Sequence, residues 1–132
     1  MLASALQAFV GDVFIACSNK AFGRALTLEE LDNYNATWSR WGNPNPSNIR
    51  ALFLRLGVND VFDGLSWQGQ STSALKSNLD TINQVRNRIA HGQAILVNRT
   101  PYSLRLSGVT RWRNIAEQFG NRFENHALRR IR

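Results

Sequence analysis

Residues 72–92 read TSALKSNLDTINQVRNRIAHG, and this stretch decides the fold. Leu75, Leu79, Ile82, Val85 and Ile89 recur at spacings of three and four, the period of a helix with one apolar face. The pattern starts at Ser71 or Thr72 and stops at Gly92. With Arg86 at zero and about 100° per residue, the apolar side chains fill an arc from roughly −100° to +20°. Arg86 therefore lies inside the apolar arc. Asn83, Asn87, Asp80, His91 and Gln84 fill a second arc from roughly +60° to +160°, a polar seam in which Asn87 and His91 are one turn apart. An unpaired guanidinium in a core is costly, so Arg86 either meets an acid (Asp12, Glu29 or Glu30) or reaches into a site holding an anion. For His91 the plain alternative is a cation at a helix C-terminus.

Working outward, Leu2, Leu6, Phe9, Val10, Val13 and Cys17 mark a first helix over residues 2–17, whose pattern lapses around Lys20 to Arg24. Thr27 and Glu30 have capping-box spacing for a short helix to about Asn35. Trp38 to Asn45 has loop composition. Asn45 and Pro46 form a cap and first turn for a helix carrying Ile49 to Leu56 and stopping at Gly57. Val58 to Gln70 predicts a loop with one helical turn. Residues 93–107 fit a small hairpin or a plain loop, with Ala94 to Val97 as a short strand, a weak alternation over Tyr102 to Leu106, and Thr100-Pro101 as the turn between them. From Ser107 to about Arg130 a last helix carries Trp112, Ile115, Phe119 and Phe123 on one face.

This is an all-α pattern, and 132 residues fit one domain over 1–132. The abrupt apolar start fits a fragment of a longer parent chain. No run reaches the roughly 18–20 apolar residues of a membrane span, so a soluble protein with no membrane partner is expected. Single Cys17 and two histidines supply neither an internal disulfide nor a structural zinc site, so no metal or cofactor is expected and a reducing cytoplasm is the expected compartment. Cys17 itself reads as core.

Sixteen basic against nine acidic residues give a net charge of +7, and fourteen of the sixteen are Arg, suited to planar phosphate. Residues 99–132 hold eight Arg and two Glu, a net +6, whereas residues 1–60 cancel. Arg111, Arg122 and Arg129 fall nearly on one line of the last helix, either a solvated rim or a stripe that tracks phosphates. His126 lies near the apolar arc and reads as packing. Trp38, Trp41, Trp67 and Trp112 read as anchors, with base stacking the less favoured role. No helix-turn-helix pair is convincing, which argues against a transcription factor.

Arg86-Asn87-Arg88-Ile89-Ala90-His91-Gly92 resembles the R-x4–6-H motif of HEPN domains, which commonly begins R-N. Gly42-Asn43-Pro44-Asn45-Pro46-Ser47-Asn48-Ile49, followed by Leu52-Phe53 and Leu56-Gly57, is similar to a segment of the RiboL-PSP-like branch, and Val109 to Phe123 to its last helix. The resemblance covers nearly the whole chain. It implies a HEPN-like helical bundle forming a twofold homodimer, with two motifs facing each other in a composite cleft. It also implies metal-independent endoribonuclease activity, as in a toxin or defence effector, with RNA as substrate and an antitoxin or a fused sensor domain as partner.

The residues permit that chemistry: 2′-OH attack on phosphorus needs a proton carrier near neutrality, His91, and a cation for the phosphorane charge, Arg86. Asn87 can orient phosphate or His91, and Arg88, Arg111, Arg122 and Arg129 are candidate substrate contacts. A non-catalytic HEPN module that binds nucleotide, RNA or a partner protein is the competing expectation; intact Arg86, Asn87 and His91 favour the enzyme.

Overall fold

The computed structural model describes residues 2–41, 44–90, 92–103 and 105–131, with backbone alone for 2–6, 38–41 and 106. Among them five helices and one hairpin follow in the order α1 (Leu2–Phe22), α2 (Leu28–Trp41), α3 (Pro46–Leu54), α4 (Thr72–Ala90), β1 (Leu96–Val97), β2 (Thr100–Pro101) and α5 (Leu106–Arg130). The protein is thus mostly helical, as the periodicity predicts. No helix of the described residues is long and apolar enough to cross a membrane.

Local chemistry sets the starts of α2, α3 and α4. Thr27 N–H donates to Glu30 Oε1 at 2.9 Å while Glu30 N–H donates to Thr27 Oγ1 at 3.2 Å, so each satisfies an otherwise unpaired donor at the start of α2. Arg24 adds a 2.7 Å ion pair to Glu30, and these hydrogen bonds hold the Glu30 carboxyl down at about 2. Asn45 Oδ1 accepts from Asn48 N–H at 2.8 Å ahead of Pro46, which starts α3. Ser71 Oγ caps α4 by accepting from Ala74 N–H at 3.1 Å.

Three boundaries differ from the sequence expectation. Helix α1 runs past Cys17 to Phe22: Ser18 Oγ donates back to the Phe14 carbonyl, and Lys20 Nζ reaches the Leu128 carbonyl at 2.6 Å, so tertiary contact carries the helix beyond its apolar pattern. Helix α2 likewise continues to Trp41, correcting the loop expected from Trp38; Ser, Arg and Trp are only mildly unfavourable in a helix. The hairpin turn lies at Asn98-Arg99, not Thr100-Pro101, because a two-residue hairpin loop of this twist needs positive φ at both positions, here 52° and 68°. Val97 consequently pairs with Thr100 and Leu96 with Pro101.

The main core lies between α1, α3, the 58–65 segment, α4 and α5. Phe53, Phe62, Phe119 and Phe123 are fully buried there; Phe119 and Phe123 stack at 4.6 Å, and Phe53 meets Phe123 edge-on at 5.5 Å. Cys17 is also fully buried, and burial pushes its thiol up to about 11, as expected for a packing residue. A second cluster joins Ile82, Val85 and Trp112 to Ile95, Val97, Tyr102 and Val109, with Tyr102 stacked on Trp112 at 5.8 Å. It seats the hairpin on the C-terminal half of α4 and the start of α5. Gln84 fastens the turn: its Oε1 accepts from Asn98 N–H at 2.9 Å and its Nε2 donates to Asn98 Oδ1 at 3.1 Å.

Candidate active site

Helix α4 divides along its length. Its apolar stripe is buried at Leu75, Leu79, Ile82 and Val85, and this buried face extends to Asn83, at 2% exposure. The polar seam is therefore not one surface. Asn83 Nδ2 donates to the Leu79 carbonyl at 2.8 Å and to the Pro44 carbonyl at 3.2 Å, while Gln84 bonds Asp80 and the hairpin turn. Those three residues serve the fold. Asn87, half-buried, remains as the described part of the seam nearest the end of the helix.

Arg86 is half-buried, in keeping with its place in the apolar arc, and its Nη1 donates to Asn87 Oδ1 at 3.5 Å. Glu30, one of the acids considered for it, is engaged by Arg24, and Asp12 and Glu29 are exposed. Ile89 is 49% exposed, so the apolar stripe reaches the surface inside the motif. Two backbone bonds close the helix: Gly92 N–H to the Ile89 carbonyl at 3.1 Å and Gln93 N–H to the Arg88 carbonyl at 2.9 Å. This pairing requires a left-handed residue at the stop, met by Gly92 at φ 62°. Arg88 Nη1 also reaches Gln93 Oε1 at 3.3 Å. His91 lies outside the described residues, as do Gly42 and Asn43 of the upstream segment.

The remaining candidates sit elsewhere. Arg111, Arg122 and Arg129 are exposed on α5 and are gathered by the 64–70 loop. Arg122 stacks its guanidinium over the half-buried Trp67 ring at 5.4 Å and donates to Gln118 Oε1 at 3.3 Å. Arg129 Nε donates to the Asn125 carbonyl. Trp112 is core, and the side chains of Trp38 and Trp41 lie outside the described residues. His126 packs as expected: its Nε2 is 2.8 Å from the Val61 carbonyl, and burial, followed by Arg130 and Arg129, lowers its pKa. No group of three His, Cys, Asp or Glu gathers among the described residues.

One cleft escaped the sequence reading. Trp67, Gln68, Gly69 and Gln70 face Asn78 of α4 and Arg111, Asn114 and Gln118 of α5 around a cavity of about 420 Å³. The signal in the sequence was the recurrence of Asn and Gln between the α5 arginines at steps of three and four.

Among known protein families, residues 27–129 match RiboL-PSP-HEPN. No curated protein and no solved structure matches. The matched region begins at the Thr27 capping box and takes in the Pro44–Pro46 segment, the whole of α4 with Arg86 and Asn87, and α5 to Arg129, so the chain belongs to the RiboL-PSP-HEPN family.

Proposed function

We propose that this protein is a metal-independent endoribonuclease acting as a toxin or defence effector, and that its site is completed across a twofold homodimer. The observation that carries the reading is the half-buried Arg86–Asn87 pair at the closing turn of α4, in a RiboL-PSP-HEPN chain whose motif continues to His91. A guanidinium held part-way out of water acts on phosphate more strongly than a fully solvated one, and its planar fork suits two phosphoryl oxygens.

In the proposed reaction the 2′-oxygen forms a bond to phosphorus and the bond from phosphorus to the 5′-oxygen breaks. His91 takes the 2′-OH proton, and His91 of a second copy protonates the departing 5′-oxygen. Arg86 neutralises the phosphorane, and Asn87 positions a nonbridging oxygen or the imidazole. The half-exposed Ile89 between Arg86 and His91 supports a second copy covering this face, since an apolar side chain within a catalytic motif gains from burial. The test is total RNA incubated in EDTA with wild type and His91→Ala. Cleavage by wild type alone is expected; intact RNA with the wild-type protein would favour a binding module.

A further inference from the structure

On α5, Arg111, Asn114, Gln118, Asn121, Arg122, Asn125 and Arg129 fall within an arc of about 100° at 100° per residue. The two carboxylates of the helix, Glu117 and Glu124, fall roughly 40° and 60° beyond its edge. The arc therefore combines three guanidinium groups with four amides. The 64–70 loop lies along it and divides it into two clefts. The first is the 420 Å³ cavity of Trp67–Gln70 with Asn78, Asn114, Gln118 and Arg111. The second, about 270 Å³, is bounded by Gly64–Ser66 with Arg122, Asn125 and Arg129. No acid lines either one.

Repeated phosphates alone would be met by arginines. Amides add something different, because each offers a donor and an acceptor side by side, the pattern that the edge of a nucleobase presents. Gln70 sharpens this point: its backbone N–H and carbonyl are spent on a bridge to Trp67, while its side-chain Nε2 is buried with no hydrogen-bond partner. A buried donor left unmade costs stability unless a ligand satisfies it. Trp67 supports the phosphate side, since the Arg122 guanidinium lies over its ring at 5.4 Å. From Arg111 to Arg129 the helix rises roughly 27 Å at 1.5 Å per residue, long enough to follow several nucleotides.

We propose that this face is a subsite for single-stranded RNA, in which an unpaired base enters the Trp67–Gln70 cleft and is read by Gln70, Asn78 and Asn114, while Arg111, Arg122 and Arg129 hold the flanking phosphates. It rests on the proposed ribonuclease activity for the choice of RNA as the strand. A duplex does not serve, because its base edges are already paired and its deep groove is closed to side chains. The subsite supplies base preference through residues other than those proposed to break the bond.

The test is binding of fluorescent RNA decamers to the 132-residue His91→Ala protein, as single strands of each base and as a duplex, across a salt series. Single strands are expected to bind at least about tenfold tighter than the duplex. Adding Gln70→Leu with Asn114→Ala should level the affinities for the four bases and leave the salt dependence intact. Adding Arg111→Gln, Arg122→Gln and Arg129→Gln should instead lower the log–log salt slope by about 2, at about 0.7 per phosphate, and keep the base preference. Melting of each variant is measured alongside, and the exposed Asn114→Ala alone carries the base-preference arm should Gln70→Leu not fold. Unchanged RNA binding in both sets overturns the subsite, as does loss confined to an acidic protein partner. Should wild type cut RNA while both sets bind as before, the subsite falls and the activity stands. Should the sets lose binding as expected while wild type leaves RNA intact, the activity falls and the subsite stands.

Discussion

Asn83 and Pro44 lie 39 positions apart and are joined by a buried hydrogen bond, Asn83 Nδ2 donating to the Pro44 carbonyl at 3.2 Å. It ties the helix that carries Arg86 and Asn87 to the segment that starts α3, one turn before the motif. Two sequence features read separately, the upstream Asn-Pro segment and the Arg-Asn pair, are thus one structural unit. Asn83→Leu should lower stability by about 1–3 kcal/mol in urea denaturation. Asn83→Asp should cost more at neutral pH, since a carboxylate would face the carbonyls of Pro44 and Leu79. Those carbonyls favour the protonated acid in the folded state, raising its pKa, so the penalty should fade as pH drops below that pKa. A pH-independent loss for Asn83→Asp would show that the two carbonyls do not set the cost.

Glu30 gives an opposite pH dependence. Its carboxyl is held down at about 2 by Arg24 and the Thr27 backbone, so its contribution is present above the ordinary carboxylate value and lost as pH falls through about 2. Thermal melts of wild type should therefore decline between about pH 4.5 and 2 with a component that Glu30→Gln lacks. Parallel melting curves for the two proteins over that interval would contradict this.

The starts of α2 and α3 and the end of α4 were legible because their signals are local: Thr27 with Glu30, Asn45 with Pro46, and Gly92 each complete their hydrogen bonds within a few residues. What was not legible depends on distant partners. Lys20 extends α1 by reaching Leu128, and Gln84 fixes the hairpin turn at Asn98. Asn83 looked like part of a solvent seam on helical geometry alone, and only the packing of the Pro44 segment buries it. The Arg86–Asn87 pair could be read from its motif, whereas the amide cleft forms from a loop and two helices that periodicity treats one at a time.

Gly11 sits in the middle of α1, where alanine ordinarily adds about 1 kcal/mol of helix stability. Here an added Cβ would stand 2.5 Å from the Tyr34 hydroxyl, so the α1–α2 contact needs the bare backbone. Gly11→Ala should destabilise wild type and become neutral or stabilising in a Tyr34→Phe background. Equal effects of Gly11→Ala in the two backgrounds would remove Tyr34 as the cause.

His126 donates to or accepts from nothing in the proposed chemistry, and its lowered pKa keeps it neutral beside Arg129 and Arg130. Its stabilising effect should be fully present above the ordinary histidine value near 6.5 and lost as pH falls through that value toward the lower folded pKa. His126→Gln should remove this component from the stability profile while leaving RNA cleavage within about twofold of wild type. A loss approaching that of a catalytic histidine, on the order of 10² or more, would move His126 into the reaction.

Arg86→Lys keeps the charge but loses the planar fork, and should reduce RNA cleavage on the order of tenfold to a hundredfold with little change in melting. Arg86→Ala should cost on the order of 10² to 10⁴ in rate, with part of any loss of stability arising from its half-buried position. Wild-type rates for Arg86→Lys together with a lowered melting point would assign the side chain to packing.

The most direct measurement is the chemical form of the RNA ends left by wild type, Arg86→Ala and His91→Ala in EDTA. Attack by the 2′-OH leaves a 2′,3′-cyclic phosphate on one fragment and a free 5′-OH on the other. Wild type should generate these ends, and both variants should leave the RNA intact while remaining folded. Ends bearing a 3′-OH and a 5′-phosphate, or cyclic-phosphate cleavage that survives His91→Ala at the wild-type rate, would contradict the proposed site.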